Sequence, residues 1–137
     1  MQKMNRKITV TVKRHDSEAQ EQSRLIAWAN EVSRLGVYPE LSRLYAIPNG
    51  GRRDKAEAAH LKRQGVKSGV PDLHLPVARG NYHGLYIEMK VGKNKPTKNQ
   101  KEWINALKAS GYAVEVCYSA AAARQVIIAY LQLREKA

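Results

Sequence analysis

Two acidic residues and one lysine near the middle of the chain have the types and spacing that phosphate chemistry needs. Between Ala58 and Lys101 the only acids are Asp72 and Glu88, and Lys90 follows Glu88 after one residue. Two carboxylates held close together repel each other, and a divalent cation between them removes that conflict. Such oxygen ligands suit Mg²⁺ or Mn²⁺, which also bind phosphate and activate water for phosphodiester cleavage. Lys90 would then orient the attacking water or stabilise charge on the phosphate.

A hairpin is expected to bring the two acids together. Strands are predicted over residues 72–77 and 85–90, on either side of a short loop. If the chain turns near Gly80, Asp72 faces Glu88, and directly opposed residues have Cβ atoms about 5 Å apart. The loop is long enough for this register to slip, so the pairing is a hypothesis that a structure tests directly.

Alternation along the strands assigns the neighbouring side chains to faces of the sheet. It places Lys90 and Tyr86 on the face of Glu88, and His74 on the face of Asp72. We interpret His74 as a packing residue or a neighbour of the ligands, not as a metal ligand. The alternative for the acids is that Asp72 caps a turn after the preceding proline, while Glu88 pairs with Lys90 on an exposed strand. Spacing alone does not choose between the two interpretations.

Hydrophobic periodicity, capping residues and turn residues predict the remaining elements. Helices are expected over residues 16–36, 54–64, 97–109 and 119–133, and strands over 43–47 and 112–118. The alternating segment 8–12 is interpreted as an edge strand or an ordered arm. This order of elements predicts an α/β fold with a mixed central β-sheet flanked by helices. Residues 16–137 are expected to form a single domain, since a chain of 137 residues can bury one core but is too short for two.

The charge balance points to a polyanionic partner. The chain carries 24 Lys and Arg against 12 Asp and Glu, a formal net charge of +12. Segment 1–14 is basic and contains no acid, and we interpret it as a solvated tail or a nucleic-acid arm. Cys117 is the only cysteine, which excludes an internal disulfide and thiolate metal clusters. We expect no membrane span and a cytoplasmic location, since long apolar runs and the apolar stretch of a secretion signal are both missing.

Several sequence blocks resemble a known family of nucleases. The string from Gly69 to Leu73, followed by Ile87 to Lys90, matches the PD...ExK signature of the PD-(D/E)xK superfamily. Further blocks extend the similarity to the VRR-NUC branch over roughly residues 17–118. They are Ser17-Glu18 with Gln22, Ile47 to Gly51, Gly65 to Asp72, and Glu88 to Lys90 followed by Thr97, Gln100 and Trp103. The resemblance implies a restriction-endonuclease-like core.

The resemblance also implies roles for residues outside the acidic pair. Glu18 matches a glutamate on the first helix that completes the metal site, and the backbone carbonyl of Met89 matches a further metal ligand. Gln100 matches a glutamine that lies near the active site. For Glu18 the alternative is a first-turn glutamate favoured by the helix dipole, with Glu21 as the competing candidate for the site. For Gln100 the alternative is a solvent-facing helix residue.

Two basic clusters are expected to lie beside the catalytic hairpin. They are Arg52, Arg53 and Lys55 after the glycine turn, and Lys93, Lys95, Lys98 and Lys101 after Lys90. Their position favours contacts with DNA phosphates, which give affinity and salt sensitivity but not base specificity. Simple solvation of these side chains is the alternative.

Together the residues and the resemblance predict a DNA endonuclease that depends on Mg²⁺ or Mn²⁺. The resemblance to small VRR-NUC proteins from phages and bacteria implies a structure-specific homodimer that cuts branched DNA, including four-way (Holliday) junctions. A dimer suits this substrate because two opposed cuts need two active sites. One alternative is a noncatalytic basic module that binds nucleic acid, which the two carboxylates and the lysine disfavour. Another is a sequence-specific restriction-type nuclease, for which 137 residues leave little recognition surface.

Overall fold

The computed structural model describes residues 17–48 and 54–135. Its elements in chain order are α1 (Glu18–Arg34), a 3₁₀ helix (Pro39–Arg43), β1 (Tyr45–Ala46), α2 (Lys55–Arg63), β2 (Leu73–Leu75), β3 (Leu85–Met89), α3 (Lys98–Ala109), β4 (Ala113–Cys117) and α4 (Ala120–Leu131). The predicted strand or arm at 8–12, the basic segment 1–14 and the glycine turn at 49–51 lie outside the described residues.

The four strands form one sheet in the order β1-β2-β3-β4. β1 pairs with β2 and β2 with β3 in antiparallel fashion, whereas β3 and β4 are parallel. A parallel pair needs a crossover connection, and α3 supplies it. The predicted fold class, a mixed α/β sheet flanked by helices, is therefore confirmed. Within the two described ranges, no helix is both long enough and apolar enough to cross a membrane.

Local sequence signals explain where the helices begin and end. Ser17 and Thr97 each form a capping box with the glutamine three residues later, at the starts of α1 and α3. The side chains of Asp54 and Ser119 accept hydrogen bonds from backbone N–H groups in the first turns of α2 and α4. α1 ends before Gly36, whose φ of +80° favours glycine. The predicted helices are confirmed, with slightly shorter ends.

Prolines shorten two of the predicted strands. Pro39 begins a 3₁₀ helix that occupies the start of the strand predicted at 43–47, so β1 contains two residues only. β2 contains three residues, because Pro71 and Pro76 on either side of it have no N–H for a ladder hydrogen bond. The strand predicted at 72–77 is therefore too long.

The two faces of the sheet have different surroundings. On one face Leu73, Ile87 and Met89 are fully buried in the main hydrophobic core with side chains of α1 and α4. On the opposite face α3 packs against β4, and His74 and Tyr86 remain partly exposed. Functional side chains on this second face can therefore meet a substrate.

Candidate active site

The two acids of the predicted site meet where β2 and β3 pair. Leu73 lies opposite Ile87, which is the register that the sequence predicted. The next position along the chain places Asp72 opposite Glu88, although Asp72 lies just before the first residue of β2. A carboxylate oxygen of Asp72 accepts a hydrogen bond from the backbone N–H of Met89 over 2.8 Å. The hairpin therefore holds the Asp72 carboxylate beside Glu88.

Pro71 changes the hydrogen bonding of the Met89 backbone. Continuing the β2–β3 register places Pro71 opposite Met89. The N–H and the carbonyl of one strand residue point to the same side, and the Met89 N–H points toward Asp72. The Met89 carbonyl therefore also points toward β2, where Pro71 has no N–H to donate to it. This is the orientation that a backbone ligand for a cation next to Asp72 requires.

Glu88 is a buried acid with an unused acceptor. The residue is 2% exposed, and its Oε2 lies 3.5 Å from Nζ of Lys90. Its Oε1 has no hydrogen-bond partner in the part of the chain that the structure describes. Burial, and then the charge of Asp72, raise the pKa of Glu88 to about 7 against the opposing effect of Lys90. Because a buried acceptor without a donor costs about 1–3 kcal/mol, a cation at this oxygen would be stabilising.

Lys90 is held on the same face as Glu88. Its backbone N–H donates to the carbonyl of Cys117 over 2.9 Å, which continues the pairing of β3 with β4 by one residue. The residue is 7% exposed, and lysine is rarely so buried unless it is paired. Glu88 and Lys90 do form the ion pair of the alternative interpretation, but its placement on an exposed strand is wrong, because both residues are buried.

The two glutamates considered on α1 have different partners. Oε2 of Glu18 accepts a hydrogen bond from the side-chain amide of Asn94 over 3.3 Å, and the charge of Glu18 contributes to the raised pKa of Glu88. Glu21 instead accepts a hydrogen bond from the backbone N–H of Ala120 over 2.7 Å. Glu21 therefore joins α1 to the start of α4, whereas Glu18 is the acid near the predicted site.

The positions of the carboxylates limit the metal site that the chain offers. Within residues 17–48 and 54–135, no group of three or more acidic, histidine or cysteine side chains is placed to hold a metal ion. Glu18 is thus not assembled with Asp72 and Glu88 into one cluster, and its role as a metal ligand stays a prediction. The strand register sets Asp72 opposite Glu88 and directs the Met89 carbonyl toward β2, and Mg²⁺ commonly binds through one or two carboxylates while keeping several waters. This donor set fits a hard divalent cation.

Gln100 has a structural role at the start of α3. Its side-chain oxygen accepts a hydrogen bond from the N–H of Thr97 over 2.9 Å, and its own N–H donates to the Thr97 hydroxyl over 3.1 Å. The residue is half-buried. A further role near the active site stays a prediction.

The basic residues predicted to bind DNA lie on the surface wherever the structure describes them. Those exposed are Lys55, Lys93, Lys95, Lys98 and Lys101. Arg52 and Arg53 lie outside the described residues. Contact with phosphates requires exposed side chains, but solvated lysines are exposed as well, so the DNA-binding role of these residues stays a prediction.

Sequence reasoning missed two residues on this face of the sheet. The side chain of Asn94 donates a hydrogen bond to Glu18, 76 positions away in the chain, and no local sequence pattern predicts such a contact. The hydroxyl of Tyr45 forms a hydrogen bond of 2.8 Å with Nδ1 of His74, whose ring stacks on Tyr86. Alternation in the strand predicted at 43–47 places Tyr45 and Ile47 on one face, but it does not identify the strand that pairs with them.

Comparison with known proteins agrees with this arrangement. The sequence model of the VRR-NUC domain family matches residues 11–121. A solved structure described as a VRR_NUC domain protein is similar with a TM-score of 0.72 and 31% sequence identity, over 90% of this chain and 94% of that chain. A search of curated proteins found no match.

Proposed function

The chain belongs to the VRR-NUC nuclease family, and we propose that it is an endonuclease that hydrolyses DNA with Mg²⁺ or Mn²⁺ held by Asp72 and Glu88. The observation that carries this proposal is the buried Glu88 carboxylate, with one oxygen near Lys90 and the other without a hydrogen-bond donor among the described residues. A cation bound at this second oxygen would satisfy it and offset the negative charges of the two carboxylates. The proposal includes the cytoplasm as the location.

Asp72, Glu88 and the Met89 carbonyl would hold the cation, with Glu18 as a further ligand or as a base for waters around it. A bound divalent cation neutralises the scissile phosphate, lowers the pKa of a water and supports the leaving oxygen. The Met89 N–H fixes one oxygen of Asp72, so this carboxylate is oriented before substrate arrives. Such preorganisation reduces the reorganisation needed during the reaction.

Lys90 supplies the fixed positive charge of the site. Its ammonium lies beside Glu88 and is shielded from solvent, where an electrostatic interaction is stronger than in water. From this place it would donate hydrogen bonds to the attacking water or to a phosphate oxygen as negative charge develops there. The exposed lysines of the loop after β3 and of α3 would contact neighbouring phosphates and retain the DNA strand.

We further propose that the substrate is branched DNA and that the enzyme is a homodimer. α2 supports the second part, because it contributes no buried side chain and an isolated nine-residue helix is only marginally stable in water. A hollow of about 410 Å³ between α2 and α3 is lined in part by Leu61, Val66 and Trp103, and a second copy would cover this apolar surface. Two-fold symmetry would suit the paired cuts of a four-way junction.

Cleavage assays with purified protein test the activity. Linear, flap, splayed and four-way DNA are each incubated with Mg²⁺, Mn²⁺ or EDTA, and we expect cuts in branched DNA only when a divalent ion is present. Asp72→Asn and Lys90→Ala should each lower the cleavage rate by about 100-fold or more. Glu115→Gln and Lys108→Ala remove the same charges from exposed positions, Glu115 on the face of the sheet opposite to Glu88 and Lys108 in the last turn of α3, and should cut normally. Wild-type rates in both site variants would overturn the proposal.

Sedimentation analysis tests the dimer separately. We expect a dimer for the wild-type protein and a monomer for Leu61→Glu, which places a charge in the apolar hollow. A wild-type monomer at every concentration would contradict the homodimer and leave the nuclease proposal standing.

A further inference from the structure

An aromatic row crosses the sheet next to the acidic pair. Tyr45 pairs with His74 across β1 and β2, and His74 pairs with Tyr86 across β2 and β3. The adjacent row on the same face contains Asp72 and Glu88, two residues further along each strand. Because each strand residue advances about 3.3 Å, the two rows are separated by roughly 7 Å. The aromatic row therefore lies within about one nucleotide of a phosphate bound at the acids.

The rings of this row hold one another in place. His74 stacks on Tyr86 with ring centres 4.1 Å apart and planes within 7°. Tyr112 contacts both of these rings edge-on, with ring centres 6.1 Å from His74 and 5.2 Å from Tyr86. At the other end, Tyr45 meets His74 at 72°, and its hydroxyl is tied to Nδ1 of His74. Tyr45 is thus the outermost member of a rigid aromatic cluster.

Tyr45 is both exposed and fixed, which is an unusual combination. It is 48% exposed, although the hydrogen bond to His74 limits its rotation. Tyrosine is common on edge strands for its β propensity alone, but that preference requires neither a hydroxyl tether nor a place beside buried acids. A fixed exposed ring loses little conformational entropy when another flat group stacks on it.

We propose that Tyr45, supported by His74 and Tyr86, is a stacking subsite for an unpaired base of the DNA substrate. This inference rests on the proposed nuclease function and specifies its substrate class as DNA with single-stranded nucleotides next to the cut. Bases within a paired duplex remain stacked inside the helix, whereas unpaired bases can stack on aromatic side chains with little sequence preference. The net charge of +12 attracts the strand, and Tyr45 then selects strands that present a free base.

Binding measured in EDTA tests the subsite without any need for cleavage. The probes are a fluorescent single-stranded dT oligonucleotide and a blunt duplex of equal length. Tyr45→Leu should weaken binding of the single strand about tenfold, the scale of one base–aromatic stack, and change duplex binding less than about twofold. Tyr45→Phe keeps the ring and should retain most of the single-strand affinity. Tyr82→Leu removes another exposed tyrosine, in the loop between β2 and β3, and should change neither affinity.

Three results would overturn the subsite: unchanged single-strand binding by Tyr45→Leu, an equal loss for both probes, or a change in oligomeric state without a change in DNA binding. The third result would mean that Tyr45 contacts a second copy of the chain. A splayed substrate with 2-aminopurine in its single-stranded arm gives an independent readout. Its fluorescence should be quenched by wild-type protein and by Tyr45→Phe, and should stay bright with Tyr45→Leu. Failure of all variants and the wild type to cut DNA would count against the nuclease proposal alone.

Discussion

The carboxylate of Asp72 accepts the backbone N–H of Met89 over 2.8 Å, at the point where the antiparallel ladder of β2 and β3 ends. The side chain takes the place of a backbone acceptor there. Pro71 stands opposite Met89 in the continued register and cannot donate a ladder bond in return. Pro71 therefore leaves the Met89 carbonyl directed toward β2 without a ladder donor, next to the position where Asp72 and Glu88 face each other.

Asp72→Asn and Asp72→Ala should separate the chemical role of Asp72 from its structural role. An asparagine oxygen can still accept the Met89 N–H, so Asp72→Asn should fold with little loss of stability while cleavage falls by about 100-fold or more. Asp72→Ala leaves that N–H without its acceptor and should lower the free energy of unfolding by about 1–3 kcal/mol. Urea denaturation and single-turnover cleavage measure the two effects. Equal stability of the two variants would show that the hydrogen bond contributes nothing.

The contribution of Glu88 to the stability of the metal-free protein should fall as the pH rises from about 4.5 to about 7. Glu88 has a pKa of about 7 in the folded protein against an ordinary value of 4.5, so the folded state binds the proton more tightly than the unfolded state. That contribution is fully present below pH 4.5 and is lost as the pH approaches 7, on the order of 3 kcal/mol in total. Unfolding in EDTA, compared between wild type and Glu88→Gln, isolates it. Parallel pH profiles for the two proteins would contradict the expectation.

A divalent cation should restore the stability that ionisation of Glu88 removes. Cations bind the ionised carboxylate, so affinity for Mn²⁺ should increase up to about pH 7, the pKa of Glu88. At a Mn²⁺ concentration about 100 times the Kd, the free energy of unfolding rises by about 2.7 kcal/mol. Thermal melting with and without Mn²⁺ measures this, with Glu115→Gln as the control that keeps the shift. If Glu88→Gln were stabilised as much as the wild type, the cation would bind elsewhere.

Replacing lysines of the loop after β3 should change the salt dependence of DNA binding. Lys93→Gln and Lys95→Gln each remove one positive charge expected to bind a phosphate, so each should make the slope of log K against log salt concentration shallower by about 0.9. Duplex binding in EDTA at several salt concentrations gives the slope. Lys108→Gln removes an exposed lysine at the far end of α3 and should leave the slope unchanged. If all three variants showed the wild-type slope, the loop lysines would be solvated and would not contact phosphates.

Local chemistry made much of the fold predictable from sequence. Ser17 and Thr97 indicate where helices start, because a capping box involves only two residues that are three positions apart. The hairpin register followed from one short loop, and it placed Asp72 opposite Glu88. β2 is shorter than the hydrophobic pattern predicts, because Pro76 has no N–H and the ladder ends before it.

The rest of the site depends on contacts between distant parts of the chain. The bond from Asn94 to Glu18 joins a loop to the first helix, and neither residue type predicts its partner. Gln100 completes the capping box of Thr97, and its role near the active site, which the resemblance implies, stays a prediction. Tyr45 was overlooked because the register between β1 and β2 spans a helix and a turn, which alternation within one strand cannot fix.

The hydrogen bond between Glu21 and the N–H of Ala120 can form only after the chain has been synthesised as far as Ala120. The N–H group that binds Glu21 belongs to α4 and is synthesised 99 residues after Glu21. The hairpin with Asp72 and Glu88 leaves the ribosome before this hydrogen bond can form. A nascent chain that has not yet reached Ala120 therefore lacks this one anchor of α1.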